Sequence, residues 1–191
     1  MRLFIAIPLP PDIVRTVSDA RQKLVHAKGD IRWVDPKHFH ITVKFLGETE
    51  ETLLGEIASR ISTATGQVPQ FPLELEGFDR FPERGSPRAI ISRVLSPDQR
   101  LTKLHRLIDS ALGEIGLPMD TRVLVPHLTL GRVSSNRGLN RLLRLLEKHD
   151  LDYFGSFSVT HVTLMQSTLT PEGPQYISLH RADLAAPAVK P

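Results

Sequence analysis

"HFHITVKFLGE", residues His38 to Glu48, decides how this chain is read. Its β-branched and aromatic residues and its closing Gly47 mark a strand. Within it, His40 and Thr42 lie two residues apart and share one face, while Ile41 and Val43 share the other. The apolar face packs beneath a helix; the polar face needs solvent or partners. The same spelling, His-x-Thr and then an apolar residue, returns as "HLTL" from His127 and as "HVTL" from His161, in a chain with 8 histidines.

Composition bounds what these strands belong to. With 191 residues, 40% hydrophobic and 24% charged, the chain is an ordinary globular protein, one domain or two small lobes sharing a core. The absence of cysteine excludes disulfides, thiolate nucleophiles and thiolate metal sites together. In "MRLFIAIPLP" the apolar run lasts only from Leu3 to Leu9 before prolines, too short for a secretory or membrane segment, so it reads as a first buried strand. A cytoplasmic protein without membrane association is the expectation. The net charge of +3 fits either a solubilising excess of arginine or attraction of a polyanion.

On either side of the opening stretch the hydrophobic period switches between helix and strand. "PPDIVRTVSDARQKLVHA" sets Ile13, Val17, Leu24 and Ala27 at helical spacing after two prolines. "ETEETLLGEIASRIS" is a second helix with an acidic first turn and Leu53, Leu54, Ile57 and Ile61 on one face. "FPLELEGFDRF" and "PRAIISRVL" form an antiparallel pair. A third helix, "SPDQRLTKLHRLIDSALGEIG", leads to the short strand "HLTLGRV"; then come a helix "LNRLLRLLEKH", one long strand "FSVTHVTLMQSTL" and a last strand "PQYISLHRADL". Residues 185–191 read as a disordered tail and 1–184 as a single catalytic domain. Each half gives helix, His-x-Thr strand, helix and strands, a duplication in element order that implies two similar lobes facing each other.

Two lobes of this kind would present His40, Thr42, His127 and Thr129 across one cleft. A neutral imidazole opposite a protonated one is a general base facing a general acid. Hydroxyls beside them donate to nonbridging phosphate oxygens.

The flanks lengthen the signature. "RWVDPKHFHITVKFLGE" and "VLVPHLTLGRV", with "RLFIAIPLP" and "VTLMQSTLTPEGPQY", make the sequence resemble the 2H phosphoesterase superfamily, and within it the RNA 2′,3′-cyclic phosphodiesterases long called 2′–5′ RNA ligases. The resemblance implies an α+β bilobal fold, with two antiparallel sheets related by a pseudo-two-fold around a central cleft and helices outside. It implies metal-independent, cofactor-free hydrolysis of RNA 2′,3′-cyclic phosphate ends to 2′-phosphate ends. His127 would activate water and His40 would protonate the departing 3′-oxygen, with Thr42 and Thr129 on the phosphate. Carried to Arg132 and Phe45, five residues beyond each histidine, it implies an arginine on phosphate and a ring stacked on a base. An odd offset points away from the histidine in a regular strand, so a bulge or the strand's end must turn both side chains. Phe45 reads as a core aromatic or as the stacking ring. Lys44 shares the parity of His40 and would add charge to the cleft or be solvated.

Competing readings are few. His38 and His40 on one strand face would be half of a metal site, but no nearby motif completes it, and His38 reads as the strand's solvated entry. His161 neither follows a proline nor precedes an arginine at the matching offset, and reads as an exposed strand residue whose loss is nearly silent. No GxGxxG or GxxxxGK[ST] occurs, which argues against dinucleotide and nucleoside triphosphate chemistry. The rival substrates are a cyclic nucleotide, ADP-ribose cyclic phosphate or a 2′–5′ oligonucleotide, with reverse ligation without ATP. A rival class is an RNA-end-binding module without catalysis. A monomer suffices for each.

Overall fold

A computed structural model describes residues 1–171 and 173–187. The elements in chain order are β1 (Arg2–Pro8), α1 (Pro11–Val25), β2 (Ile31–Trp33), β3 (His40–Glu48), α2 (Leu54–Thr65), β4 (Phe71–Phe81), β5 (Ala89–Leu95), α3 (Arg100–Gly113), β6 (His127–Val133), α4 (Leu139–Lys148), β7 (Tyr153–Val159), β8 (His161–Thr170) and β9 (Gly173–Asp183). The helices begin where proline and acidic residues fit an N-terminus: α1 has Pro10 as its cap, Pro11 in the first turn and Asp12 behind it. Ile13, Val17 and Leu24 of α1, and Ile57 and Ile61 of α2, are buried as the helical period requires.

The strands form one antiparallel curled sheet in the order β7-β4-β5-β6-β3-β1-β8-β9, with β2 paired to β6 off that path. The two sheets expected from the sequence are its two four-stranded halves, joined between β3 and β6 by the single pair Ile41 and Leu128. Both residues are fully buried, so the seam is closed on the helix side and open on the other. Helices α1 and α4 pack on the β7 and β4 side, α2 and α3 on the β3, β8 and β9 side. The core lies between helices and sheet, with Leu3, Ile5 and Ile7 of β1 at its centre. Large aliphatic side chains buried this completely contribute about 1.5–3 kcal/mol each before entropic costs.

Two expectations change. The long strand "FSVTHVTLMQSTL" is two strands broken at Thr160: β7 pairs with β4 in one half-sheet and β8 with β1 in the other. The apolar positions change phase at the break, from Phe157 and Val159 to Val162 and Leu164, a one-residue slip that a single regular strand does not make. The lobes are consequently not the two halves of the sequence: β4 and β5 join β6 and β7, while β1 and β3 join β8 and β9. At the expected tail, Ala185 exchanges backbone hydrogen bonds with Val68 and Gln70. Residues 188–191 of that tail lie outside the described residues.

Candidate active site

Bulges set which side chains reach the open face. In β3, pairing with β1 runs Ala6 to Thr42 and then Ile5 to Lys44, so Val43 is an extra residue. Val43 and Lys44 both turn inward and are buried, and Phe45 returns to the side of His40 and Thr42. In β6, Ile91 pairs with Thr129 and Ile90 with Gly131, leaving Leu130 as the extra residue. Leu130 and Gly131 turn inward, and Arg132 returns to the face of His127 and Thr129. Gly131 has to be small: a Cβ there would come within 2.6 Å of Ile31 Cγ2 and 2.9 Å of Trp33 Cε3. One bulge at one offset therefore solves the parity problem in both strands. Phe45, 65% exposed, is not a core aromatic.

The seam relates the two strands by a local two-fold. Because Ile41 faces Leu128, continuing the antiparallel register puts His40 opposite Thr129 and Thr42 opposite His127. The two histidines are then diagonal neighbours, about 7–8 Å apart at the backbone for regular strands and further where strands splay. That span admits a phosphate between the rings.

Both imidazoles are tethered alike. His40 Nδ1 lies 2.7 Å from the His38 carbonyl, and His127 Nδ1 lies 2.8 Å from the Val125 carbonyl. A carbonyl only accepts, so each Nδ1 carries a hydrogen and each Nε2 is left for chemistry: a lone pair when the ring is neutral, a donor when it is protonated. Around His40 stand Phe4, its ring centroid 5.0 Å away, and Tyr176, at 5.4 Å and edge-on; Phe81 stacks on His127 at 4.8 Å. Burial holds the His40 imidazolium below the ordinary histidine range; its bond to the His38 carbonyl opposes this, and positive charge on His38, Arg132 and His127 reinforces it. Tyr176 is pushed up, chiefly by burial, with Arg132 and Arg2 pulling the other way. Arg132 thus acts electrostatically on two groups of the opposite half-sheet.

Lys44 departs from both of its expected roles. It is 2% exposed on the helix side of the sheet, with Nζ 2.6 Å from Asp109 of α3, 2.9 Å from the Pro118 carbonyl and 3.4 Å from Asp120. The bulge at Val43 reverses its parity. Asp109, Asp120 and His105 are also the one cluster of metal-ligand type among the described residues, and the Lys44 ammonium sits against both carboxylates. His38 is not on the strand face with His40: it lies in a 3₁₀ turn, Pro36–His38, with its ring 5.0 Å from Tyr176. His161 does share the open side of the sheet, since Thr163 and Thr42 both pair with Ala6, but it is half-buried and bonded to the Thr160 hydroxyl at 3.0 Å.

Sequence reasoning missed Phe4, Phe81 and Tyr176, which wall the two imidazoles, and the carbonyls of His38 and Val125, which orient them. Tyr176 stands within the quoted "PEGPQY" and Phe4 within "RLFIAIPLP", but nothing in a strand pattern says which ring meets which histidine. The strand β2 was hidden because it is three residues long.

An RNA 2′,3′-cyclic phosphodiesterase of Archaeoglobus fulgidus is 35% identical over 94% of this chain and 98% of its own length. A crystal structure of a Thermus thermophilus protein matches with a TM-score of 0.82 and 25% identity, covering 97% of this chain and 99% of that one. The Escherichia coli protein LigT complexed with 3′-AMP matches with a TM-score of 0.72 and 26% identity, covering 96% of this chain and 97% of that one. A family model matches residues 9–170, from before α1 to the end of β8, and the chain belongs to the 2′–5′ RNA ligase superfamily.

Proposed function

We propose that the open face of the seam hydrolyses RNA 2′,3′-cyclic phosphate ends, leaving 2′-phosphate ends, by general acid and base catalysis between His127 and His40. The observation that carries this reading is the paired tether: two imidazoles, each fixed through Nδ1 to the carbonyl two residues back, disposed about the Ile41 and Leu128 pair. Water attacks phosphorus and gives its proton to His127 Nε2. The bond from phosphorus to the 3′-oxygen breaks, and that oxygen takes a proton from His40 Nε2. The phosphate stays on the 2′-oxygen, one water having been added, and solvent resets both rings. Thr42 and Thr129 donate to the phosphate oxygens, Arg132 neutralises their charge, and Phe45 offers an exposed face to a base.

The lowered basicity of His40 in the free protein is consistent with an acid that charges on demand. An anionic substrate offsets the positive charge of Arg132 and His127, so its arrival favours the protonated ring. The names of the curated relatives and the 3′-AMP complex of LigT support a nucleotide phosphate as ligand. Residues 1–184 act in this reading as one bilobal catalytic unit, and no metal is required.

The test is turnover of an RNA oligonucleotide with a 2′,3′-cyclic phosphate end by wild type, His40→Ala and His127→Ala. Each substitution should lower kcat by about 10² to 10⁴ while leaving the thermal transition in place. Near wild-type turnover by either variant, or loss of wild-type activity on adding a chelator, refutes the proposal.

A further inference from the structure

β2 lies alongside the end of β6 with Ile31 opposite Val133, Arg32 opposite Arg132 and Trp33 opposite Gly131. Residues directly opposite each other in an antiparallel pair project to the same face. Ile31 and Trp33 sit on the helix side, where they fill the space above Gly131. Arg32 therefore projects to the open face beside Arg132, with backbones about 5 Å apart. Both arginines are exposed, and among the described residues neither guanidinium has an ion pair or a hydrogen bond. Like charges directly opposite on a sheet are unfavourable.

The ribbon that carries Arg32 is held at both ends and from below. The Asp30 amide donates to the Arg137 carbonyl, the Ser134 amide to the Asp30 carbonyl, and the Val34 amide to the Leu130 carbonyl. Arg21 of α1 donates to the Val34 carbonyl and lies 5.8 Å from the Trp33 ring and 5.3 Å from that of Phe39. Two arginines thus project side by side from a supported ribbon, at the edge of the face that bears His40, and among the described residues neither has an acidic partner. A ligand with two adjacent negative charges satisfies both.

We infer that Arg32 is a second phosphate-binding residue, which takes the phosphodiester adjoining the terminal cyclic phosphate and makes the site select an RNA chain over a cyclic mononucleotide. The inference rests on the proposed function and sharpens its substrate class. A nucleoside 2′,3′-cyclic phosphate has one phosphate, held by Thr42, Thr129 and Arg132. An oligonucleotide has another one linkage away, and the spacing of adjacent strands is of the order of that between successive phosphates.

The experiment compares wild type with Arg32→Gln and Arg32→Lys on two substrates, a nucleoside 2′,3′-cyclic monophosphate and a short RNA ending in the same nucleotide. Arg32→Gln should leave kcat/KM on the mononucleotide unchanged and lower that on the RNA about tenfold through KM, with Arg32→Lys partly restoring it. The slope of log KM against log salt for RNA should fall by about 0.7, the value for one phosphate contact to a single strand. Equal effects on both substrates, no effect on either, or an unchanged salt slope overturns the inference. If wild type turns over neither substrate, the proposed reaction fails; the salt slope for binding a labelled 2′-phosphorylated RNA then still decides the role of Arg32.

Discussion

Replacing Lys44 by methionine removes one partner of a buried ion pair while nearly keeping the side-chain volume. The two side chains are 1% and 10% exposed and meet at 2.6 Å, so solvent screens them little. Asp109 also accepts the Asp120 amide at 3.0 Å, which holds the carboxylate in place after its counter-charge is gone. Stranding one buried charge costs about 3–5 kcal/mol, a large share of the roughly 5–15 kcal/mol typical of a domain. With a urea dependence of about 1–3 kcal/mol per molar, the Lys44→Met midpoint should fall by at least about 1 M at neutral pH. Burial alone would push Asp109 up, but the bonds from Lys44 and the Asp120 amide outweigh it and hold the carboxyl below its ordinary value. In the wild type its contribution to stability is complete above the unfolded value, about 3.9, and is lost as pH falls through the lower folded one. Without Lys44 burial dominates and protonation relieves the strain, so the deficit of the variant should shrink on acidification. A loss of less than about 1 kcal/mol at neutral pH, or a deficit that grows in acid, would refute the reasoning.

In NMR titration the His40 ring of the free protein should titrate below about 6.5; Arg132→Gln should raise that midpoint, as should inorganic phosphate, and phosphate should bind more tightly as pH falls through it. A midpoint at or above the ordinary value refutes the burial of His40, and a midpoint left unchanged by Arg132→Gln removes the electrostatic link between the half-sheets. Phe45→Ala should weaken binding of a nucleotide by about 1–3 kcal/mol, the worth of one stacked base, and leave the melting temperature nearly unchanged because the ring is 65% exposed. An unchanged KM with a lowered melting temperature would return Phe45 to a packing role.

How far these features could be read beforehand follows from the range over which each is decided. The strand carrying His40 and the strand carrying His127 were legible because their period and their glycines are local; the helix faces of Ile13, Val17, Ile57 and Ile61 were legible for the same reason. The need for a bulge before Phe45 and Arg132 followed from parity alone, and the register places it at Val43 and Leu130. The same bulge defeated the parity argument for Lys44, because the position of the extra residue depends on what α3 offers beneath the sheet. The division of strands between half-sheets is set by long-range pairing, so the slip of apolar phase between Val159 and Val162 marks the break at Thr160 without saying which partner each piece takes. Arg32 was hidden in plain view within "RWVDPKHFHITVKFLGE": its pairing with Arg132 spans the chain, and only the register reveals it.

The central claim, that His40 supplies the proton to the leaving oxygen and His127 removes one from water, is tested most directly by changing the leaving group. On a phosphodiester whose departing group is 4-nitrophenolate, which needs no proton, His40→Ala should recover to within about tenfold of wild type while His127→Ala stays lower by about 10² or more. Equal losses of both variants on this substrate, or recovery of His127→Ala in place of His40→Ala, would contradict the assignment.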